Sequence, residues 1–193
     1  MSIAVEVVVL AVSWLIVAQH IQATRSHFVS EKMAPGAMLL AALVIGSTLI
    51  FSVLLFVAGP RPLEASIVGV LIELGSLWLF RAAITASREA RLAFAFDPAM
   101  PHGLVNSGPY RHIRHPFYTS YILFWIGWAI AIWSPWVLPF VIGLIAFYVG
   151  AARGEERKFA ATALGPDYQR YRESTGFFWP KLGGFSRLSQ AGE

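Results

Sequence analysis

Five stretches of the chain stay apolar for about the length a membrane-crossing helix requires, roughly 17 to 25 residues, and the polar residues gather between them. They run from Ile3 to Ile21, Ala37 to Ala58, Leu63 to Ile84, Phe117 to Trp133 and Pro135 to Ala152. Only Ser134 separates the last two, so these must fold back on each other as a tight antiparallel helical hairpin. No Lys or Arg precedes the first stretch and no small-residue cleavage site follows it, so it reads as a retained span and not a removed leader. The pattern predicts an all-α, polytopic integral membrane protein with five transmembrane helices. It forms a single domain over residues 1–193, with three spans in 1–85 and a more polar part in 86–193.

Charge orients the bundle. If the N-terminus lies outside, 14 of the 15 Lys and Arg residues fall on the inner side and only Arg61 falls outside, as the positive-inside rule requires. The expected topology is therefore N-out, C-in. Composition agrees: 56% of residues are hydrophobic and 13% charged, against about 25% charged in soluble domains. The chain has no cysteine, which excludes disulfides, thiolate metal ligands and cysteine nucleophiles. Its net charge of +4 fits the anionic inner membrane surface better than nucleic acid, because the basic residues flank the spans.

Two inner segments are too long to be simple turns, residues 85–116 and the tail from Arg153 onward, and a site shared between them is the natural inference. The first ends in "GLVNSGPYRHIRHPFYTSY", residues 103–121. Its "SGP" is a turn, and Pro116 suits the first position of the fourth helix, where its missing N–H costs nothing. Free backbone N–H groups and the positive end of the helix dipole then lie beside Arg111, Arg114 and His115, a suitable place for a carboxylate or phosphate. Tyr110, Tyr118 and Tyr121 add flat rings with polar tips. A juxtamembrane belt would gather the same residue types, so the order of motifs has to separate the two readings.

That order is "HGLVNSGPYRHIRHPFY", the helical hairpin, "EE", "LGPDYQRY" and "TGFFWPKL". It resembles the isoprenylcysteine carboxyl methyltransferase family, whose C-terminal signature phospholipid N-methyltransferases share, over about residues 100–182; the short five-span length is similar to prokaryotic members. The resemblance implies methyl transfer from S-adenosyl-L-methionine, leaving S-adenosyl-L-homocysteine, at the cytoplasmic face of a prokaryotic inner or plasma membrane. It implies cofactor binding by His102, Gly103, Leu104, Val105, Tyr110, Arg114, His115, Pro116, Phe117 and Tyr118, with Glu155 or Glu156 also on the cofactor. Arg153 would face the substrate, and Arg153, Glu155 and Glu156 would carry the catalytic roles. The family places its arginine about one helical turn before the paired glutamates, whereas Arg153 stands two positions before Glu155.

The chemistry asks for what these residues offer. The cofactor carries a sulfonium, an amino-acid end and an adenine. Arg111, Arg114 or the helix N-terminus can take its carboxylate, Glu155 or Glu156 its ammonium, and the tyrosines its flat ring. The acceptor should be a lipophilic small molecule or lipid entering from the bilayer, foremost an isoprenylcysteine-like carboxylate, which needs no general base. A phospholipid amine is the other acceptor class and would need proton removal. A membrane reductase using a nicotinamide cofactor, which shares "RHPxY", and a non-catalytic scaffold are the rival classes. No metal is expected, since His112, His115 and His102 form no convincing ligand set. Glu73, in the middle of the third span, is costly there and reads equally as a functional or a hydrogen-bonded structural group.

Overall fold

The computed structural model describes residues 3–26, 35–88 and 104–181, and among them there is no strand. The helices are α1 (Ile3–Ser26), α2 (Pro35–Val57), α3 (Leu63–Ser87), α4 (Pro116–Ile132), α5 (Leu138–Ala160) and α6 (Gly165–Ser174), with short 3-10 turns at Gly108–Arg111 and Pro135–Val137. Among the described residues four segments are long and apolar enough to cross a membrane, the last being Pro135–Ala160, while α4 is a shorter apolar helix. Exposed Val8, Leu15, Leu49, Val53, Leu71 and Ile142 give the bundle an apolar exterior, as a helix surface facing lipid requires.

The shorter apolar helix, α4, is the hub. Nearly every residue of α4 is buried or half-buried, and α1, α2, α3 and α5 all pack on it, α3 most extensively. A stripe on α3 explains the close fit: Ser66, Gly69, Glu73, Ser76, Phe80, Ala83 and Ser87 recur every three or four residues and are all buried. Small residues let two backbones approach closely, and here they do. A Cβ on Gly69 would lie 2.5 Å from the Gly127 carbonyl oxygen, and one on Gly127 would lie 2.8 Å from that of Gly69. Glu73 sits beside this crossing, fully buried, with the Ser13 hydroxyl of α1 3.0 Å from both of its carboxylate oxygens. The structural half of the Glu73 expectation is thus what the geometry displays.

Farther along α4, Trp125 and Trp128 stack at 5.9 Å and Phe51 of α2 meets both edge-on. The hairpin turn is longer than one residue. Trp133 adopts a left-handed conformation with its N–H on the Ala129 carbonyl, and Ser134 leads into the 3-10 turn before α5 begins. Glu6 pairs with buried Arg61 at 2.7 Å across the end opposite the start of α4. The fifth helix also runs eight residues past Ala152, because "RGEERKFA" contains good helix formers and no proline. Glu155 and Glu156 therefore project from a rigid helix and not from a loose tail.

Candidate active site

The site forms where α4 begins. Pro116 opens the helix with His115 at its cap, as its ring geometry favours. The chain after α6 then returns to the same point. Gly176 pairs with Ile113 in an isolated parallel bridge, the Gly176 N–H donates to the His112 carbonyl, and the Arg114 N–H donates to the Gly176 carbonyl at 2.8 Å. The His115 N–H reaches the Phe177 carbonyl at 3.3 Å, and the Thr119 hydroxyl reaches that of Phe178 at 3.1 Å. Residues 175–178 thus strap the loop to the helix. The backbone donors of Arg114 and His115, just before the helix start, are occupied by this strap.

Two adjacent glutamates on α5 meet the loop from the other side and are treated very differently. Glu156, whose side chain is 11% exposed, accepts from Arg114 Nε at 2.7 Å and lies 3.3 Å from His115 Nε2, with Arg172 farther off at 3.8 Å. Arg114, 7% exposed, also donates to the Thr175 carbonyl at 2.6 Å and stands over the Phe177 ring. Glu155 is 34% exposed; its Oε1 accepts from the Tyr118 hydroxyl at 2.5 Å and its Oε2 lies 3.6 Å from His115 Nδ1. Glu156 is the clamp between loop, tail and helix. Glu155 is the open carboxylate.

His115 bridges the two. Burial alone would push its imidazole towards the neutral form, but hydrogen bonding to Glu155 and Glu156 and their negative charge outweigh this and raise it above the ordinary histidine value. Burial likewise raises the phenols of Tyr110, Tyr168 and Tyr171, so they act here as neutral hydroxyls. Tyr171 donates to the Tyr110 carbonyl at 2.7 Å, tying α6 to the loop.

Of the residues expected from sequence, Arg114, His115, Tyr118, Glu155 and Glu156 converge in this network. Pro116 and Phe117 are buried, with Phe117 against Phe80 at 5.5 Å, and Tyr110 and Val105 share that apolar cluster. Leu104 is half-buried beside them in sequence. His102 and Gly103 lie outside the described residues. Arg153 does not join the site: two residues of α-helix turn it about 200° from Glu155, and it is exposed. Among the described residues no group of three or more His, Asp or Glu comes together as a metal would need.

One ring residue near the site, Tyr148, went unrecognised in the sequence. Tyr148 lies 5.9 Å from Tyr118 and 5.5 Å from Tyr121, with Tyr118 and Tyr121 6.5 Å apart. The Trp125 indole N–H donates to the Tyr148 hydroxyl at 3.2 Å, while the Tyr118 hydroxyl donates to Glu155. Tyr148 precedes Glu155 by seven residues, two helical turns, and that spacing was the available signal.

No curated protein matches this chain. A family model described as phospholipid methyltransferase matches residues 65–166, which span α3, the loop, the α4–α5 hairpin and both glutamates. The match covers more than half of the chain and includes Arg114, His115, Tyr118 and both glutamates, so the chain belongs to the phospholipid methyltransferase family, whose members are membrane methyltransferases.

Proposed function

We propose that the protein transfers a methyl group from S-adenosyl-L-methionine to the nitrogen of a lipid amine, at the cytoplasmic face of a prokaryotic membrane. The observation that carries this is Glu155, a half-open carboxylate among rings whose neighbouring cation, Arg114, is already committed to Glu156. A carboxylate acceptor, the other class within reach of the resemblance, needs a free cation beside the reacting atoms. Arg153 lies about 200° around the helix from Glu155 and the exposed Arg172 stands on the Glu156 side at 3.8 Å, so the amine is the better supported acceptor.

The residues fit the cofactor in kind. Leu104, Val105 and Tyr110 offer an apolar, aromatic wall for a nucleoside, and His115, Pro116, Phe117 and Tyr118 close it from the helix. The cofactor supplies an activated methyl on a sulfonium sulfur: the S–CH3 bond breaks, the N–CH3 bond forms, and the positive charge passes from sulfur to nitrogen. An alkylammonium must first lose a proton to expose its lone pair, and Glu155 is positioned to accept it, with His115 Nδ1 3.6 Å behind. Tyr118 fixes the carboxylate through its 2.5 Å hydrogen bond. The buried rings exclude water from the transfer, and holding both reactants in line supplies much of the acceleration.

Purified protein in lipid vesicles, given methyl-labelled cofactor, should place label on an amine-bearing lipid identified by mass. Label on a lipid carboxyl, or none on any lipid, refutes the assignment.

A further inference from the structure

Tyr118, Tyr121 and Tyr148 are brought together from two helices, with centroids 5.5 to 6.5 Å apart. A cation attracted to a ring face acts within about 6 Å of the centroid, which is about the spacing of these three rings. The three differ in accessibility. Tyr118 and Tyr148 are buried, and their hydroxyls are engaged by Glu155 and Trp125. Tyr121 is partly exposed, and its ring is held in place edge-on by His20 at 4.9 Å and against Phe80 at 5.8 Å. It is therefore a partly exposed ring held between its neighbours, one ring away from the Glu155 carboxylate that Tyr118 binds.

We propose that Tyr118, Tyr121 and Tyr148 form an aromatic binding site for the methylated ammonium of the acceptor, with Tyr121 as the specificity-determining ring. The proposal rests on the amine reading above and deepens it. Each methyl group added to nitrogen strips away an N–H that could bond Glu155, so hydrogen bonding alone would let a methylated headgroup go. Ring faces act in the opposite sense, since attraction to a π face needs no N–H and suits a bulky, weakly hydrated cation. Carboxylate and rings together can hold the nitrogen before and after transfer.

The test uses the full-length protein in detergent and reads thermal unfolding with choline, with neohexanol, in which carbon replaces the quaternary nitrogen, and with S-adenosylhomocysteine. Choline should stabilise the wild type with an apparent affinity about tenfold above that of neohexanol. The preference should survive Tyr121→Phe, which keeps the ring, and fall to about parity in Tyr121→Leu, while S-adenosylhomocysteine still stabilises both variants. Equal effects of choline and neohexanol on the wild type, or a choline preference that persists in Tyr121→Leu, overturns the proposal. A wild type that responds to choline but not to S-adenosylhomocysteine instead refutes the methyl-transfer reading and leaves the ammonium site standing.

Discussion

Substituting the paired glutamates one at a time separates a clamp from a reacting group. In Glu156→Gln the partner Arg114 stays buried without its counter-charge, and breaking such a pair costs about 3–5 kcal/mol. Arg114 keeps the Thr175 and Arg172 carbonyls at 2.6 and 3.3 Å, and the amide oxygen can still accept a weaker, neutral hydrogen bond. These offsets bring the expected loss to about 2–3 kcal/mol, a fall in the thermal midpoint of about 5–10 °C for a chain of this size. Glu155→Gln removes a carboxylate that is a third exposed and holds no arginine, so its midpoint should fall by no more than about 2–4 °C, or ~1 kcal/mol. Its lipid methylation should drop at least ~100-fold, the usual scale for losing a proton acceptor. Thermal unfolding and single-turnover methylation measure both effects on the same preparations. A Glu156→Gln protein that melts like wild type, or a Glu155→Gln protein that loses stability and keeps turnover, would refute this division of labour. A Glu155→Gln loss confined to S-adenosylhomocysteine affinity would reassign Glu155 to the cofactor.

Three other perturbations test the surrounding frame. Gly127→Ala sets a methyl group 2.8 Å from the Gly69 carbonyl and 3.0 Å from the Glu73 backbone nitrogen, so it should cost at least about 1–3 kcal/mol; Gly143→Ala, with nothing within 4 Å, should be neutral in the same unfolding assay. Because His115 is held above the ordinary histidine value, its bridge stabilises fully below about pH 6.5 and is lost as pH rises through the raised value. The wild-type midpoint should therefore fall with rising pH in that window, and His115→Gln should flatten the fall; a midpoint that climbs there contradicts the bridge. Gly176→Ala drives a methyl group into the Trp179 carbonyl and should unseat the strap, seen as faster proteolysis after α6 and reduced methylation.

The sequence by itself settled what is local. Runs of apolar residues long enough to span a bilayer, a proline able to start α4, and glycine at the loop turn act within a few residues, so the helices and the start of α4 at Pro116 were legible; that Arg114, His115, Tyr118 and the glutamates serve one site was expected from the order of motifs and the family they resemble, not from any local pattern. Helix ends were less so. Extension of α5 to Ala160 depends on how far a charged but helix-favouring segment continues, and that extension turns Arg153 away from Glu155. What tertiary structure alone decided is which distant groups share one point in space. The Gly69–Gly127 crossing fixes how closely α3 and α4 approach, the returning strap consumes the N–H groups of Arg114 and His115, and the α4–α5 register sets Tyr148 against Tyr118 and Tyr121. Such meetings depend on crossing angle and register between segments far apart in the chain, and no periodicity within a single segment encodes them.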